Sequence, residues 1–298
     1  MQDQTITLRF KKLMDFSDLP KDWGVTTISF DWDFEPLLLI EEGKPPRPDN
    51  PNNYHALSAW LNAEPKAHHV LCWSGNKQSQ ITFEDSRRIV TTHVQRYEDG
   101  WLLGDARGGY TAFHNASGKL TNRIFDLGDG SQDLQTTANG QIWVSYFDEG
   151  VFGLGIGGAG LICFDSSGTP VFRYSDLAES QQLAFIDDCY ALNVISDDEV
   201  WLCYYADFPL VCLRGFELQL PPKKLGPTRS FAISNGAAIC SKAYVPGELF
   251  KQSLAGDQRR TAVFPLDESG KTIPPPFTAA ARGGRMCLRT DTSVYLSS

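Results

Sequence analysis

The chain has no cysteine pair at C-x-x-C spacing, no H-x-x-x-H or H-E-x-x-H motif, no recognisable nucleophile elbow and no long apolar run. Each absence excludes a class of protein. Seven cysteines (72, 163, 189, 203, 212, 240 and 287) make an odd set, and all but Cys189 stand inside apolar, strand-like runs. They read as reduced core residues of a cytoplasmic protein, because free cysteine behaves as a small buried hydrophobe. Clustered histidine and cysteine ligands are missing, which excludes a zinc site of the usual spacing. The longest uncharged apolar run, Val151 to Phe164, is too short to cross a bilayer and is broken by glycine. The start, MQDQTITLRFKK, lacks the charged and apolar regions of a secretory signal. Positive charge is also scarce: 27 Lys and Arg stand against 36 Asp and Glu, a formal net charge of −9. That argues against a nucleic-acid backbone or an anionic membrane as partner, since both need a basic footprint.

What is present is turn chemistry between short apolar runs. With 298 residues, 42% of them hydrophobic and 12% aromatic, the chain is globular and can build two ordinary domains or one large repeat domain. The clearest unit is Ser131 to Leu177. Leu134 to Thr137 runs into Asn139-Gly140 and then Gln141 to Phe147; after a glycine-rich loop come Leu161 to Phe164, Ser167-Gly168 and Val171 to Tyr174. Asn-Gly between apolar runs signals a hairpin, with a type I′ turn expected because both centres must take φ > 0. Four antiparallel strands in one such unit belong to a larger array.

The turn dipeptides keep register along the chain. First-hairpin turns fall at Asp99-Gly100, Asn139-Gly140, Asp197-Asp198, Asn235-Gly236 and Gly283-Gly284, and second-hairpin turns at Ser117-Gly118, Ser167-Gly168, Arg214-Gly215 and Ser269-Gly270. The period of roughly 40 to 60 residues is that of propeller blades with four strands each. We therefore expect an all-β fold, a six-bladed β-propeller in one domain over 1–298. The blades are expected near 25–84, 91–128, 131–177, 188–220, 228–275 and 277–298, with insertions at 41–67 and 245–260. Tyr54 to Leu61 has a short helical pattern inside the first insertion. The last unit supplies only three strands, and the run Thr5 to Phe10 is a spare one. Pairing it with the last blade closes the ring and removes two exposed edges.

Tryptophan and aliphatic residues on the second strand (Trp101, Trp143, Trp201), with D-x-x-G or S-G at the second hairpin, resemble six-bladed propellers of the NHL, YVTN and SMP-30/gluconolactonase type. The resemblance spans nearly the whole chain and its motifs are structural. Lactonase-like members hold a central metal through a glutamate, asparagines and an aspartate at inner-strand starts. Here those starts fall near Thr26, His93, Asp133, Ala191, Arg229 and Thr278, and among them only Asp133 matches that chemistry.

Sorting residues by loop selects a candidate site. In a propeller the loops from second to third strand, and from blade to blade, share the face that carries the channel mouth. Asp105, Arg107, Asp148, Glu149, Phe152, Tyr205 and Asp207 fall there, as do Asp187 and Asp188, the linker Ser175 to Asp187 and both insertions. Phe147 to Gly153, FDEGVFG, pairs two acids with aromatics and suits a cation, a hydroxyl-rich ligand or a basic side chain; a solvated acidic turn is the structural alternative. Gly155 to Gly160 matches G-x-G-x-x-G but opens a strand, whereas a dinucleotide loop opens a helix. The expected function is a non-catalytic binding module, with a small-molecule or peptide ligand at the mouth and no cofactor. One alternative is a metal-dependent hydrolase or lactonase whose divalent cation is held by some of Asp105, Asp133, Asp148 and Glu149. A second is a scaffold that docks proteins on its rim.

Overall fold

An Asp or Asn side chain, folded back onto its own turn, shapes three of the hairpins. In the computed structural model Asp165 Oδ1 accepts from the amides of Ser167 and Thr169 at 2.8 and 3.0 Å. Asn115 and Asp267 repeat the same pair of bonds in N-A-S-G-K and D-E-S-G-K. The glycine that follows takes φ of +81° at Gly168, which a side chain would oppose. Asn139-Gly140 departs from the expected type I′ turn. Only Gly140 is left-handed, the Thr137 amide donates to the Gln141 carbonyl while the Thr137 carbonyl accepts from the Gly140 amide, and the result is a type I turn with a glycine bulge. Asn235-Gly236, with φ of +48° and +69°, does take both left-handed centres.

The structure describes residues 6–43, 65–83, 92–219, 221–255 and 259–298, with positions 55 and 59. The N-terminal strand is β1 (Ile6–Asp15). One sheet has the order β2 (Trp23–Phe30), β3 (Pro36–Glu42), β4 (Ala67–Ser74), β5 (Lys77–Phe83). A second is β6 (His93–Tyr97), β7 (Gly100–Gly104), β8 (Tyr110–His114), β9 (Leu120–Asp126). The third is β10 (Ser131–Thr136), β11 (Ile142–Tyr146), β12 (Leu161–Phe164), β13 (Pro170–Arg173). The fourth is β14 (Asp188–Val194), β15 (Glu199–Tyr205), β16 (Pro209–Arg214), β17 (Glu217–Leu218), with β18 (Lys223–Lys224) also on β16. The last meanders are β19 (Thr228–Ser234), β20 (Ala237–Lys242), β21 (Leu249–Ser253), β22 (Arg260–Leu266), and β23 (Thr278–Arg282), β24 (Arg285–Arg289), β25 (Ser293–Ser297).

β1 joins these last two meanders into one eight-stranded sheet. Its second half, Phe10 to Asp15, runs antiparallel to β25, which is the expected pairing of the N-terminal strand with the last unit. Its first half, Ile6 to Arg9, runs parallel to Val263–Leu266 of β22, which the sequence pattern did not indicate. One strand thus covers two open edges, and Phe10 is fully buried. The first strands β2, β6, β10, β14, β19 and β23 touch one another in that order, and β23 returns to β2. They enclose a central channel. The core lies between neighbouring sheets, as where Trp143 of β11 packs with Val200 and Leu202 of β15.

Two expectations about loops are corrected. Leu249–Ser253, inside the expected insertion 245–260, is the third strand of its meander, hydrogen-bonded on both sides by β20 and β22. Its five residues are too few to show a period, so only the pairing reveals it. Lys271 to Ile273 then makes just an isolated bridge, Leu266 to Thr272, and the Ser269-Gly270 turn follows the fourth strand instead of preceding it. The expected linker Ser175 to Asp187 carries a helix, Tyr174–Gln181, that buries Tyr174 and Ala178. The helix expected over Tyr54 to Leu61 lies outside the described residues, apart from positions 55 and 59. Among the described residues no helix is long and apolar enough to cross a membrane.

Candidate binding site

The channel holds a cavity of about 400 Å³ walled by the first strands. Its floor rests on Arg282, the last residue of β23 and 1% exposed. The guanidinium donates from Nε to the carbonyl of Val194 (2.9 Å) and from Nη1 to the carbonyl of Phe30 (3.2 Å) and Gln95 Oε1 (3.1 Å). Nη2 donates to the carbonyl of Thr136. These acceptors come from β14, β2, β6 and β10, so one side chain ties five first strands together. Asn193 brings in the sixth, donating to the carbonyl of Phe231 at 2.8 Å. Burial pulls the Arg282 pKa down to about 10, against the opposing fields of Asp31, Asp133 and Asp33, so the group stays charged at neutral pH. No motif announces Arg282; the sequence shows just an arginine ending an alanine-rich run before Gly283-Gly284.

On the wall, His93 begins β6 and its Nε2 lies 3.1 Å from Ser131 Oγ. Asp133 Oδ1 accepts from the Leu134 amide at 2.8 Å and Oδ2 from Gln135 Nε2 at 2.9 Å. Gln135 also spans to the next strand, donating to the carbonyl of Leu192 and accepting from the amide of Val194. Burial lowers the His93 pKa and raises that of Asp133, and each charge partly offsets the other's shift. The imidazole is therefore neutral near pH 7 and free to accept or donate a hydrogen bond. Asp133 spends its oxygens on β10 itself, so Ser131, His93 and Asp133 stand close without forming a proton relay.

Two glycines seat the rim. A side chain at Gly130 (φ +68°) would fall 2.3 Å from the Gly150 amide nitrogen, so this close approach of two backbones requires glycine. It presses the short helix Asp148–Val151 onto the entrance of β10, and the helix also touches β14, which Asp188 begins. Arg229, in β19, lies with its guanidinium 5.3 Å from the Tyr190 ring centre. Tyr190 packs edge-on to Phe208 at 5.2 Å and shares a 2.6 Å hydroxyl contact with Tyr244. Asp188 Oδ1 is shut off from solvent and has no hydrogen-bond partner among the described residues. Burial raises the Asp188 pKa, nearby Asp148 adds to the rise, and Arg229 opposes it.

The residues expected at the mouth fall into separate groups. Asp148 stands at the rim; its Oδ1 accepts from the Glu149 amide at 2.8 Å, and both acids are exposed. Phe152, 72% exposed, points outward instead of packing between sheets. Tyr205 packs edge-on to Phe208 at 5.8 Å, and exposed Asp207 meets Lys224 at 3.3 Å. Asp105 accepts from the Arg107 amide at 2.8 Å, and Arg107 lines a separate crevice with Asp126, Asp129 and Ile156. Asp105, Asp133, Asp148 and Glu149 do not form one metal site: among the described residues no three His, Cys, Asp or Glu side chains converge to hold an ion. Tyr190, Ser131 and Arg282 were not singled out by sequence. Arg229 was visible only as an inner-strand start.

Residues 161–296 match the YxzG family, a little under half of the chain. No curated protein sequence matches it. In three dimensions the chain resembles a gluconolactonase from Xanthomonas campestris, with a TM-score of 0.52 and 12% identity over 93% of this chain and 86% of that one. It resembles virginiamycin B lyase from Staphylococcus aureus with a TM-score of 0.50 and 9% identity, over 94% and 82% of the two chains. A chain of the mitotic checkpoint complex gives 0.52 and 9% identity, over 98% and 89%. The chain is a β-propeller. At such identities the likeness concerns the fold alone, and the propeller's chemistry has to be read from its own channel.

Proposed function

We propose that this propeller has six blades, one per first strand, and is a non-catalytic binding module for a small polar molecule or peptide end at the channel mouth. The observation that carries this reading is the cavity itself. It is walled by His93, Ser131 and Asp133, edged by Arg229 and Tyr190, and backed by the buried Arg282 hub. Its volume of about 400 Å³ lies within the usual range for ligand pockets. The rigid floor presets the wall positions, which lowers the ordering cost of binding. The test is a thermal-shift screen of sugars, hydroxy acids, amino acids and short peptides. A ligand at 100 times its Kd stabilises by about 2.7 kcal/mol. His93→Gln and Arg229→Ala should abolish the shift, while Phe264→Ser on an outer strand should leave it. A hit that both channel variants bind like wild type would refute the site.

A second reading, docking of a protein, is favoured by one surface. Phe152 and Leu154 are exposed and follow the exposed acids Asp148 and Glu149 closely in the chain, a combination suited to a basic segment with apolar side chains. A Phe152→Ser/Leu154→Ser variant that still retains a co-purifying basic partner would count against it.

A further inference from the structure

We infer that the channel receives a protonated amine, with its ammonium seated on Asp133. This rests on the channel-mouth site proposed above and names its ligand class. Asp133 lines the cavity and keeps part of its surface accessible. Among the described residues it closes no ion pair: Oδ1 accepts from the Leu134 amide at 2.8 Å and Oδ2 from Gln135 Nε2 at 2.9 Å, both neutral donors. A carboxylate offers about four acceptor sites, so each oxygen has room for a second donor. The buried cation of the floor does not fill that room. Arg282 directs its N–H groups to three carbonyls and Gln95 Oε1, and reaches Asp133 only through its field. His93 and Ser131, bonded to each other at 3.1 Å, stand on the adjoining wall. His93 is neutral near pH 7 and offers an ammonium no repulsion.

A carboxylate held away from bulk water without a counter-charge is costly, and charge-assisted hydrogen bonds are the strong ones. A divalent metal suits this wall poorly, because it needs several oxygen ligands and among the described residues no three His, Cys, Asp or Glu side chains converge. An anion would face Asp133 itself. A neutral alcohol bonds to the carboxylate but leaves its charge uncompensated, whereas an ammonium supplies the charge and several N–H donors together. Arg229 at the mouth is exposed, so water and salt screen its repulsion of an incoming cation. Opposite β10 in the ring stands β23, whose small residues Ala279 to Ala281 line the cavity and leave space for the carbon skeleton. Asp133 thus fixes the charged end of the ligand, and the open volume takes the remainder.

The full-length protein is titrated calorimetrically with propylamine, ethanolamine, putrescine and tyramine in turn. The tightest binder is then compared with the alcohol of the same skeleton, in which a hydroxyl replaces the ammonium. It is also compared with its N-trimethyl form, which keeps the charge and loses every N–H. Each analogue should bind at least tenfold more weakly, about 1.4 kcal/mol. Asp133→Asn should weaken the amine at least tenfold more than it weakens the alcohol. The variant turns an amide towards Gln135, so its melting temperature is measured first; the wild-type comparisons stand whether or not it folds. An alcohol or trimethyl form that binds as tightly as the amine overturns the assignment, as does a folded Asp133→Asn that binds the amine like wild type. If no amine binds but another compound does, in a manner lost with His93→Gln, the assignment fails and the channel site stands. If nothing binds, both fail.

Discussion

Replacing Arg282 by methionine tests the hub directly. The substitution keeps an unbranched side chain of similar length but removes four hydrogen bonds, three of them to the carbonyls of Phe30, Thr136 and Val194. Gln95 Oε1 keeps a partner in the Thr136 amide, so the three carbonyls are the groups left wanting. A buried acceptor without a donor costs about 1–3 kcal/mol, roughly 3–9 kcal/mol for three. The variant no longer buries a charge, whose effective penalty is several kcal/mol, and this offsets part of the loss. We expect a net loss of about 3–5 kcal/mol, a large share of the 5–15 kcal/mol that holds a typical domain folded. Alanine separates this account from ordinary packing. In an apolar core the larger deletion is the worse one, but here alanine opens a polar space in which water can reach the same carbonyls. Arg282→Ala should therefore be more stable than Arg282→Met by at least about 1 kcal/mol. Urea unfolding followed by tryptophan fluorescence measures both. Methionine equal to wild type, or better than alanine, would refute the reasoning.

Four other outcomes follow from particular residues. Removing the Phe10 side chain from its fully buried position, Phe10→Ala, should cost about 3–5 kcal/mol, read as a lower urea midpoint. Deleting residues 6–15 should yield self-associating protein by light scattering, because it exposes the edges of β22 and β25 together; a stable monomer would count against the strand's role. The Asp188 pKa is raised in the folded state, so the stability linked to it is present below pH 3.8 and is lost as pH rises through the raised value. Asp188→Asn should accordingly gain melting temperature relative to wild type between pH 4 and pH 8, and a constant gap would contradict this. Asp165 has the opposite sign: its hydrogen bonds to the Ser167 hydroxyl and to backbone amides lower its pKa. Asp165→Ala should be less stable at pH 7 and converge with wild type as pH falls below 3.8, checked by the same melting series.

Local chemistry was legible in the sequence wherever the outcome depended on a few adjacent residues. Asp165, Asn115 and Asp267 bend the chain through their own side chains, and the following glycine accepts a left-handed backbone, so these turns could be placed without knowing their partners. The alternation of turns and apolar runs then implied repeating four-stranded sheets, and the spare run near Phe10 implied a closing strand. Leu249–Ser253 escaped because five residues carry too little pattern, and its place depends on hydrogen bonds to two other strands. The rim acids were found by loop position, since the order of strands decides which end of a sheet a loop occupies. The convergence of Arg282 on four other strands could not be read that way. It joins residues as far apart as Phe30 and Arg282, whose meeting depends on ring closure and on inter-strand distances that no local pattern encodes. Sequence determined the repeat and its turns; tertiary structure decided which polar groups meet in the channel.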